Sequence, residues 1–495
     1  MGKKGLVFVL ITVLVAQLLS GCTVNSSDDS ADTIVVAYMA SGAVPKDVDM
    51  VSDAISEITR EKYGFNVDLE IISASSYQQQ LTLMCTSNTR IDLVSGGGVI
   101  YDSLRSTGAL KDITELVNQY GDGIKNAVGE DRMRVGQIDG VQYAVPALCD
   151  ITQGFGGFVC RTDILEKYHI DPESIQTYDD LTELFALIHA QEPDMQVLDL
   201  QYTMLSFLQY FTDWDILNDC LGVLENLGQT TTVTNLFESE QYMEFIKLVQ
   251  KWHELGFISD SITPSMEAGA SVMGAGNLFC YPSANKPGIE SQESNASGID
   301  LTEIQVGSNL KLTNFGFAWM IPNNSENPEA AMKFMNLLYT DPEIVNLFVY
   351  GIEGVHYQVL EDGCIDYPDG VTAATSRYNM SGALWAVGNE FLTYIWEGND
   401  PDIWEKTKKW NESGIISEAY GFYFDSSSVA TEKAAVMSVY SQYNMSLECG
   451  LVDNFETTIA EMNKKLYDAG LQTIIDEKQR QLERFLAAKK QIKEE

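Results

Sequence analysis

The sequence predicts an α/β protein with more than one lobe, and three observations support this prediction. The chain has 495 residues, of which 45% are hydrophobic, so it is too long for one ordinary core and has enough apolar side chains for two. Thr33 to Ser73 has the pattern of strand, helix and strand. Phe315 to Gly354 has the pattern of a buried strand, a turn and two helices. Both patterns are α/β units.

The first α/β unit consists of a strand at Thr33–Ala40, a helix over Lys46–Lys62 and an alternating strand at 66–73. The loop at Ser41 follows the first strand, and ligands of open α/β sheets bind at that end of a strand. A helix over 78–87 and a strand from Ile91 come next. This strand ends in Ser95-Gly96-Gly97-Gly98, whose spacing fits no nucleotide loop, so we predict a turn with amides that reach a ligand.

The later helices are predicted from their caps. Thr177 with Asp180 forms a capping box, and Ser239 to Gly256 is a strong amphipathic helix with a glycine stop. Asn327 followed by Pro328 predicts the start of the next helix, and Asp341 followed by Pro342 predicts another.

The N-terminal residues are predicted to be a targeting segment. Lys3 and Lys4 precede an apolar run, Leu6 to Leu19, that is too short to span a bilayer comfortably. The run closes with Leu-Ser-Gly-Cys at Cys22, which resembles the lipobox of bacterial lipoproteins. The resemblance implies a signal peptide over residues 1–21, a lipid on the thiol of Cys22, and a tether over 22–32. An uncleaved anchor and an ordinary secretory signal are the alternatives.

Composition excludes several classes of partner. The net charge of −40 argues against nucleic acid, because phosphate binding needs clustered Lys and Arg. The four histidines are not at metal-ligand spacing, and neither a GxSxG nor an HExxH motif is present. We therefore predict no metal, no cofactor and no catalytic residue.

Seven cysteines remain besides Cys22, an odd number that rules out a complete set of internal disulfides. Cys149 and Cys160 could pair across a hairpin-like stretch. Unpaired thiols are favoured, because Cys85, Cys160 and Cys280 lie in apolar surroundings.

Several segments resemble bacterial extracellular solute-binding proteins, the receptors of ABC-type sugar importers. The clearest are NPEAAMKFMNLLYTDPE at 327–343 and IDLVSGGGVIYDSLRSTGALKDIT at 91–114. From Gly354 onward the chain resembles the C-terminal extension of LipO-like members of this group. Two segments carry this resemblance, GALWAVGNEFLTYIWEG at 382–398 and AYGFYFDSSSVATEKAAVMSVYSQY at 419–443.

This resemblance implies a two-lobe, periplasmic-binding-protein-like fold of type II, with three crossovers between the lobes and a mainly helical C-terminal extension. It implies a hinge at Ala147–Ile151. The expected first lobe is 33–147 with 283–314, the second is 148–282 with 315–354, and the extension is 355–495.

The implied function is to bind a carbohydrate between the lobes and deliver it to ABC permease subunits, as a monomer lipid-anchored on the extracellular face of the cell membrane. A surface glycosidase and a sugar-sensing lipoprotein are the alternatives. Aromatic faces with nearby polar groups suit a sugar. The candidate ligand-binding residues at predicted strand ends and crossings are Tyr38, Ser41, Gly97, Trp214, Asp215, Tyr281, Trp319, Trp385 and Glu390.

Overall fold

A computed structural model describes residues 32–87, 89–200, 213–259, 269–311 and 316–494. The predicted signal peptide, Cys22 and nearly all of the tether lie outside these residues.

Sixteen strands occur in the described part of the chain. In chain order they are β1 Asp32–Ala40, β2 Phe65–Ser73, β3 Leu93–Gly97, β4 Gln137–Ile138, β5 Val141–Gln142, β6 Ala144–Pro146, β7 Thr152–Gly154, β8 Gly157–Arg161, β9 Gln196–Leu198, β10 Leu278–Pro282, β11 Leu301–Gln305, β12 Asn309–Lys311, β13 Phe317–Met320, β14 Gln358–Val359, β15 Ile365–Asp366 and β16 Ile415–Ile416.

The main helices cover the sheets and form the C-terminal part of the chain. They are Val48–Tyr63, Ala74–Thr86, Gly98–Ser106, Thr114–Tyr120, Asp122–Val128, Thr162–Lys167, Tyr178–Gln191, Glu240–Glu254, Gly269–Gly274, Ile289–Ser297, Pro328–Thr340, Pro342–Tyr350, Ile403–Ser413, Ala430–Tyr440, Asn444–Glu448, Phe455–Asp468 and Leu471–Glu494.

The first lobe is built on a five-stranded sheet with the order β2-β1-β3-β13-β6. Strands β1, β2 and β3 are parallel, and β13 runs antiparallel to its neighbours β3 and β6. Both faces of this sheet are buried. Val36 and Tyr38 belong to the core on one face, whereas Ala37 belongs to the core on the other face, as the two-residue period of a strand requires.

The second lobe is built on a four-stranded sheet with the order β11-β8-β10-β9. Phe158 and Cys160 of β8 point into the largest core, and Val159 points into a smaller core on the other face. The amphipathic helix Glu240–Glu254 closes the large core with Phe245 and Trp252. A three-stranded sheet, β16-β12-β7, lies at the passages between the lobes.

The expected division of residues 283–354 between the lobes is wrong. Strand β11 pairs with β8 of the second sheet, so 283–311 stays in the second lobe. Strand β13 pairs with β3 and β6, and the helices Pro328–Thr340 and Pro342–Tyr350 bury their apolar faces in the core of the first lobe. A buried strand followed by helices has the same sequence pattern in either sheet. The sequence therefore could not show which lobe this strand and its helices join.

The C-terminal extension is divided between the lobes. Tyr357, Tyr378 and Val387 pack in the core of the first lobe. From Ala419 onward most buried side chains pack in the large core of the second lobe, whereas Tyr423 packs in a core of the first lobe. The chain therefore passes between the lobes near 147–151, near 311–317 and through the helix Ile403–Ser413. Helices predominate only from 403 onward; the part before it contains short strands and 3₁₀ turns.

Most predicted caps are present. Thr177 and Asp180 form the capping box, Ser239 accepts a hydrogen bond from Tyr242 N, and the Asp341 carboxylate accepts from the first amides of its helix. Asn327 occupies its predicted N-cap position, but its side chain makes no capping hydrogen bond.

The seven cysteines in the described residues are buried, and none of them forms a disulfide. Cys160 does not face Cys149. It lies directly opposite Cys280 on the neighbouring strand, and the two Sγ atoms are 3.3 Å apart.

A buried carboxylate, Asp92, joins the first sheet to the turn before the helix Pro328–Thr340. Its Oδ2 accepts a hydrogen bond from Val35 N at 3.0 Å. Its Oδ1 accepts from Ser325 Oγ at 2.8 Å and from the amides of Glu326 and Asn327, each at 3.0 Å. One fully buried side chain therefore satisfies three backbone amides from two distant parts of the chain.

Asp92→Ala is predicted to lower the free energy of unfolding by about 3 kcal/mol, because it leaves buried amides without an acceptor. Asp92→Asn, which keeps one acceptor oxygen, should lose less. Urea unfolding measures both. Asp53→Ala on the exposed side of the helix Val48–Tyr63 is the control, with an expected change within about 0.5 kcal/mol. A loss for Asp92→Ala no larger than the control's would contradict this role.

Candidate functional site

A cavity of about 560 Å³ lies where the chain passes between the two lobes. This volume is in the range of small-molecule sites. One side of the cavity comes from residues 286–292 of the second lobe, and the other from residues 350 and 381–407. We call this space the cleft cavity.

Three tryptophans, Trp385, Trp396 and Trp404, line the cleft cavity together with Tyr350 and Tyr394. Trp385 is 36% exposed and packs edge-on against Phe317, with ring centroids 4.5 Å apart. We call the five lining side chains the aromatic wall.

Each tryptophan of the aromatic wall is held in place from behind. Trp396 packs against Tyr350 at 5.7 Å and Tyr367 at 4.6 Å between ring centroids. Trp404 donates from Nε1 to Thr393 O at 2.9 Å. Rigid aromatic faces bind a flat apolar surface at a low cost in conformational entropy.

The opposite side of the cleft cavity is polar. It includes Lys286, Ser291 and Gln292 of the second lobe, together with Pro287 and Gly288. Lys286 Nζ lies 2.7 Å from Oδ2 of Asp150, which sits on the first passage between the lobes. Burial disfavours the ammonium charge, but the carboxylates of Asp150 and Glu390 outweigh it and raise the pKa of Lys286. This ion pair therefore links the second lobe to the passage.

Glu390 lies beside this ion pair and is almost fully buried. Its main-chain amide donates to Leu148 O at 3.0 Å. Burial, together with the charge of Asp150, raises the pKa of Glu390 to about 8, against the opposing attraction of Lys286. Burial therefore favours the protonated form of this carboxyl group.

Asn411 fixes the first passage between the lobes. Its Oδ1 accepts from Ile151 N at 2.8 Å and Thr152 N at 3.1 Å, and its Nδ2 donates to Cys149 O at 2.8 Å. Trp410 on the same helix donates from Nε1 to Thr152 O at 2.9 Å. The predicted hinge is therefore bonded at Cys149 and Ile151 to the helix that forms the third passage.

Trp385 and Glu390 are the two predicted ligand-binding residues that line the cleft cavity. Ser41 and Gly97 lie just behind it. Ser41 packs against Gly382, which lines the cavity, and Gly97 pairs with Phe317, the ring behind Trp385.

Tyr38 and Trp319 are buried under the cleft cavity and do not line it. Their rings stack at 5.6 Å. Tyr38 Oη donates to Ala383 O at 2.5 Å, and Trp319 Nε1 donates to Val387 O at 3.1 Å. Through these hydrogen bonds both side chains support the segment that carries Trp385. That segment covers the strand ends at which we expected the ligand, so Tyr38 and Trp319 do not reach the cavity.

Trp214, Asp215 and Tyr281 are buried in the second lobe, away from the cleft cavity. Trp214 is part of the large core. Asp215 Oδ1 accepts from Leu217 N at 3.0 Å, and Tyr281 Oη donates to Glu293 Oε2 at 2.6 Å. The structure gives these three residues packing and turn-forming roles, and it offers no support for direct contact with a ligand in the cavity.

The predicted site residues did not include Trp396, Trp404, Tyr394, Asp150 and Lys286, which line the cleft cavity. Trp404 follows helical spacing, which favours packing, and nothing in its neighbourhood reveals an open side. Lys286 lies in a Pro- and Gly-containing segment, whose composition indicates a loop but no ligand contact. The density of aromatic residues between 385 and 404 was the available signal.

A second cavity, of about 430 Å³, lies between the hairpin β4–β5 and the C-terminal helices. Its arginines already face carboxylates: Arg480 lies 2.6 Å from Glu477 and Arg484 lies 3.4 Å from Asp139. It lacks a tryptophan and does not adjoin the passages that carry the cleft cavity, so the cleft cavity is the better candidate.

No helix in the described residues combines the length and the apolar character needed to cross a membrane. Within the same residues, no group of three or more His, Cys, Asp or Glu side chains is arranged to hold a metal ion.

Comparison with known protein families gives two matches. The model described as "Bacterial extracellular solute-binding protein" matches residues 30–343, which is more than half of the chain. A domain of unknown function, DUF3502, matches residues 418–487 in the helical part of the extension.

A relative from Streptococcus pneumoniae, named "Carbohydrate ABC transporter substrate-binding protein", is 26% identical and the match covers 97% of each chain. The solved N-glycan transport solute-binding protein NgtS from the same species is similar with a TM-score of 0.78 at 24% identity, covering 92% of this chain and 100% of that one. Its complex with Man1GlcNAc has a TM-score of 0.71 with the same identity and coverage. The two-lobe fold with a helical C-terminal region is therefore confirmed.

Glu390→Gln is predicted to remove a pH dependence of stability. The folded carboxyl group, with a pKa of about 8, keeps a proton that the unfolded chain releases near its ordinary value, so stability is greatest below that value and falls as pH rises towards 8. The slope contributed is at most about 1.4 kcal/mol per pH unit. Urea unfolding of wild type and variant from pH 5 to 8 measures it.

The control for this experiment is Glu397→Gln, an exposed glutamate on the same segment. Its stability should follow the wild-type pH profile. Parallel profiles for Glu390→Gln and wild type would show that Glu390 ionises normally in the folded protein.

Proposed function

This chain belongs to the family of bacterial extracellular solute-binding proteins, and on this premise we propose that it captures an oligosaccharide in the cleft cavity and delivers it to the permease of an ABC transporter. The family is one of binding proteins and not of enzymes. The proposal gains support from the sugar ligand named for a fold neighbour and from the name of the S. pneumoniae relative.

The aromatic wall is the observation that carries the sugar assignment. A pyranose presents flat C–H faces that pack on aromatic rings, and hydroxyl groups that need polar partners. The cleft cavity offers both: three tryptophans on one side, and Lys286, Ser291 and Gln292 on the other. Because the two sides belong to different lobes, a bound sugar contacts both, and a ligand that binds the closed arrangement more tightly shifts the population towards closure.

We place the protein outside the cell as a monomer anchored by a lipid on Cys22, in line with the extracellular family. Delivery to a transporter requires that the receptor stay near the membrane. A lipid-modified cysteine on a short tether holds it there when a second acyl chain or a second binding signal adds to the first.

Replacing Cys22 with Ser is predicted to move the protein from the membrane fraction into the medium. Continued fractionation with membranes would contradict a lipid on this thiol.

The first test of function is ligand-induced stabilisation of residues 23–495. A panel of oligosaccharides, peptides and amino acids is screened by thermal unfolding, and each sugar is recovered and checked for cleavage. An uncleaved oligosaccharide at 100 times its Kd should add about 2.7 kcal/mol of stability. Stabilisation by a peptide alone would refute the sugar assignment, and cleavage would indicate a glycosidase. Loss of sugar uptake on deletion of the gene separates transport from sensing.

Trp385→Ala is predicted to weaken binding of the stabilising sugar about 30-fold, which corresponds to about 2 kcal/mol for the loss of a central aromatic contact. Calorimetric titration measures the change. Tyr63→Ala, which removes an exposed aromatic ring of the first lobe outside the cleft cavity, is the control and should leave the Kd unchanged. Equal affinity of Trp385→Ala and wild type would place the ligand elsewhere.

A further inference from the structure

We propose that the cleft cavity selects uncharged saccharides and rejects those that carry carboxylates. This inference rests on the proposed function, and it narrows the class of sugar that the same site takes. It is drawn from the charges of the lining residues, since the fold alone does not determine the charge of a ligand.

Among the described residues, the lining contains three carboxyl groups and a single cationic side chain. The carboxyl groups belong to Asp150, Glu390 and Asp400, and the cation is Lys286. None of these lining residues is an arginine, although arginine is the residue whose fork-shaped guanidinium best matches a carboxylate. Lys286 is paired with Asp150, and Asp400 is paired with Lys406 outside the lining, so a sugar carboxylate would meet no unpaired cation among these residues.

Lys286 is already engaged. Its Nζ lies 2.7 Å from Asp150 Oδ2, and Glu390 stands beside the same pair. A carboxylate entering the cavity would have to compete with Asp150 for this ammonium group or remain without a cationic partner. Leaving a charge unpaired in a partly buried site is costly, so the arrangement discriminates against acidic sugars by desolvation and repulsion.

The environment of Glu390 suits a neutral ligand. In the protonated form, which burial favours, this carboxyl group can donate a hydrogen bond to a hydroxyl oxygen, and the ion pair of Asp150 and Lys286 beside it carries no net charge. A sugar carboxylate in this position would add a second negative charge next to Asp150. The chain as a whole, with a net charge of −40, also repels anionic ligands at long range.

The experiment compares three forms of one sugar. The neutral oligosaccharide that stabilises the protein most is converted to its C6 carboxylate, and this acid is converted to its methyl ester, which has a similar shape without the charge. Calorimetric titration of the wild-type protein should give an acid at least about tenfold weaker than the neutral sugar, a difference that a close like charge readily supplies. The methyl ester should recover most of the affinity.

Asp150→Asn supplies the matched variant. It leaves Lys286 free to pair with the sugar carboxylate, so the acid should bind more tightly relative to the neutral sugar than it does to wild type. Asp122→Asn, on an 82% exposed side chain of the first lobe, changes the net charge equally and should leave the ratio at its wild-type value.

Three results would overturn the inference. The first is an acid that binds as tightly as the neutral sugar. The second is an ester that binds as weakly as the acid, which would make shape the cause. The third is a ratio of acid affinity to neutral-sugar affinity that is the same in Asp150→Asn as in wild type. The failure of every neutral sugar to bind is a different outcome. It would refute the proposed function itself, and the inference with it, whereas equal binding of acid and neutral sugar refutes the inference alone.

Discussion

Three buried hydrogen bonds hold the segment 381–390 against the strand ends of the first sheet. Tyr38 Oη donates to Ala383 O, Trp319 Nε1 donates to Val387 O, and Ser95 Oγ donates to Ala386 O. Because the donors belong to β1, β13 and β3, the segment is fixed to the middle of the sheet. This attachment therefore determines where Trp385 and Glu390 lie in the lining of the cleft cavity.

This attachment changes the surface that faces a ligand. In an open α/β sheet the loops after the strands line the crevice. Here the extension covers those loops and provides four of the five side chains of the aromatic wall in their place, and Tyr350 is the fifth. The same extension continues through Asn411, which bonds to the first passage at Cys149, Ile151 and Thr152. A single stretch of chain therefore shapes the cavity and constrains one of the passages about which the lobes would move.

Local chemistry was predicted well wherever neighbours in sequence decide it. The strands β1 and β2, the capping box of Thr177 and the proline-started helices follow from residue period and cap identity, and the structure confirms them. Asn327 shows the limit. Its amide is bonded by Asp92, 235 residues away in sequence, and its own side chain makes no capping hydrogen bond. Trp385 and Glu390 were among the predicted ligand-binding residues because a sugar needs aromatic faces with polar groups nearby. Trp404 was not among them, because helical spacing does not reveal which side remains open.

The sequence by itself determined an α/β protein of two lobes, the family resemblance, and the positions of the first strands and of the helices with clear caps, because these depend on periodicity, capping and composition over short distances. Only the tertiary structure decided that β13 and its helices join the first lobe, that residues 283–311 stay in the second, and that Tyr38 and Trp319 lie under the cavity. The reason is physical: a strand has the same alternation in either sheet, and a tryptophan has the same identity in a core or at a surface. Pairing partners and neighbours distant in sequence select between these alternatives.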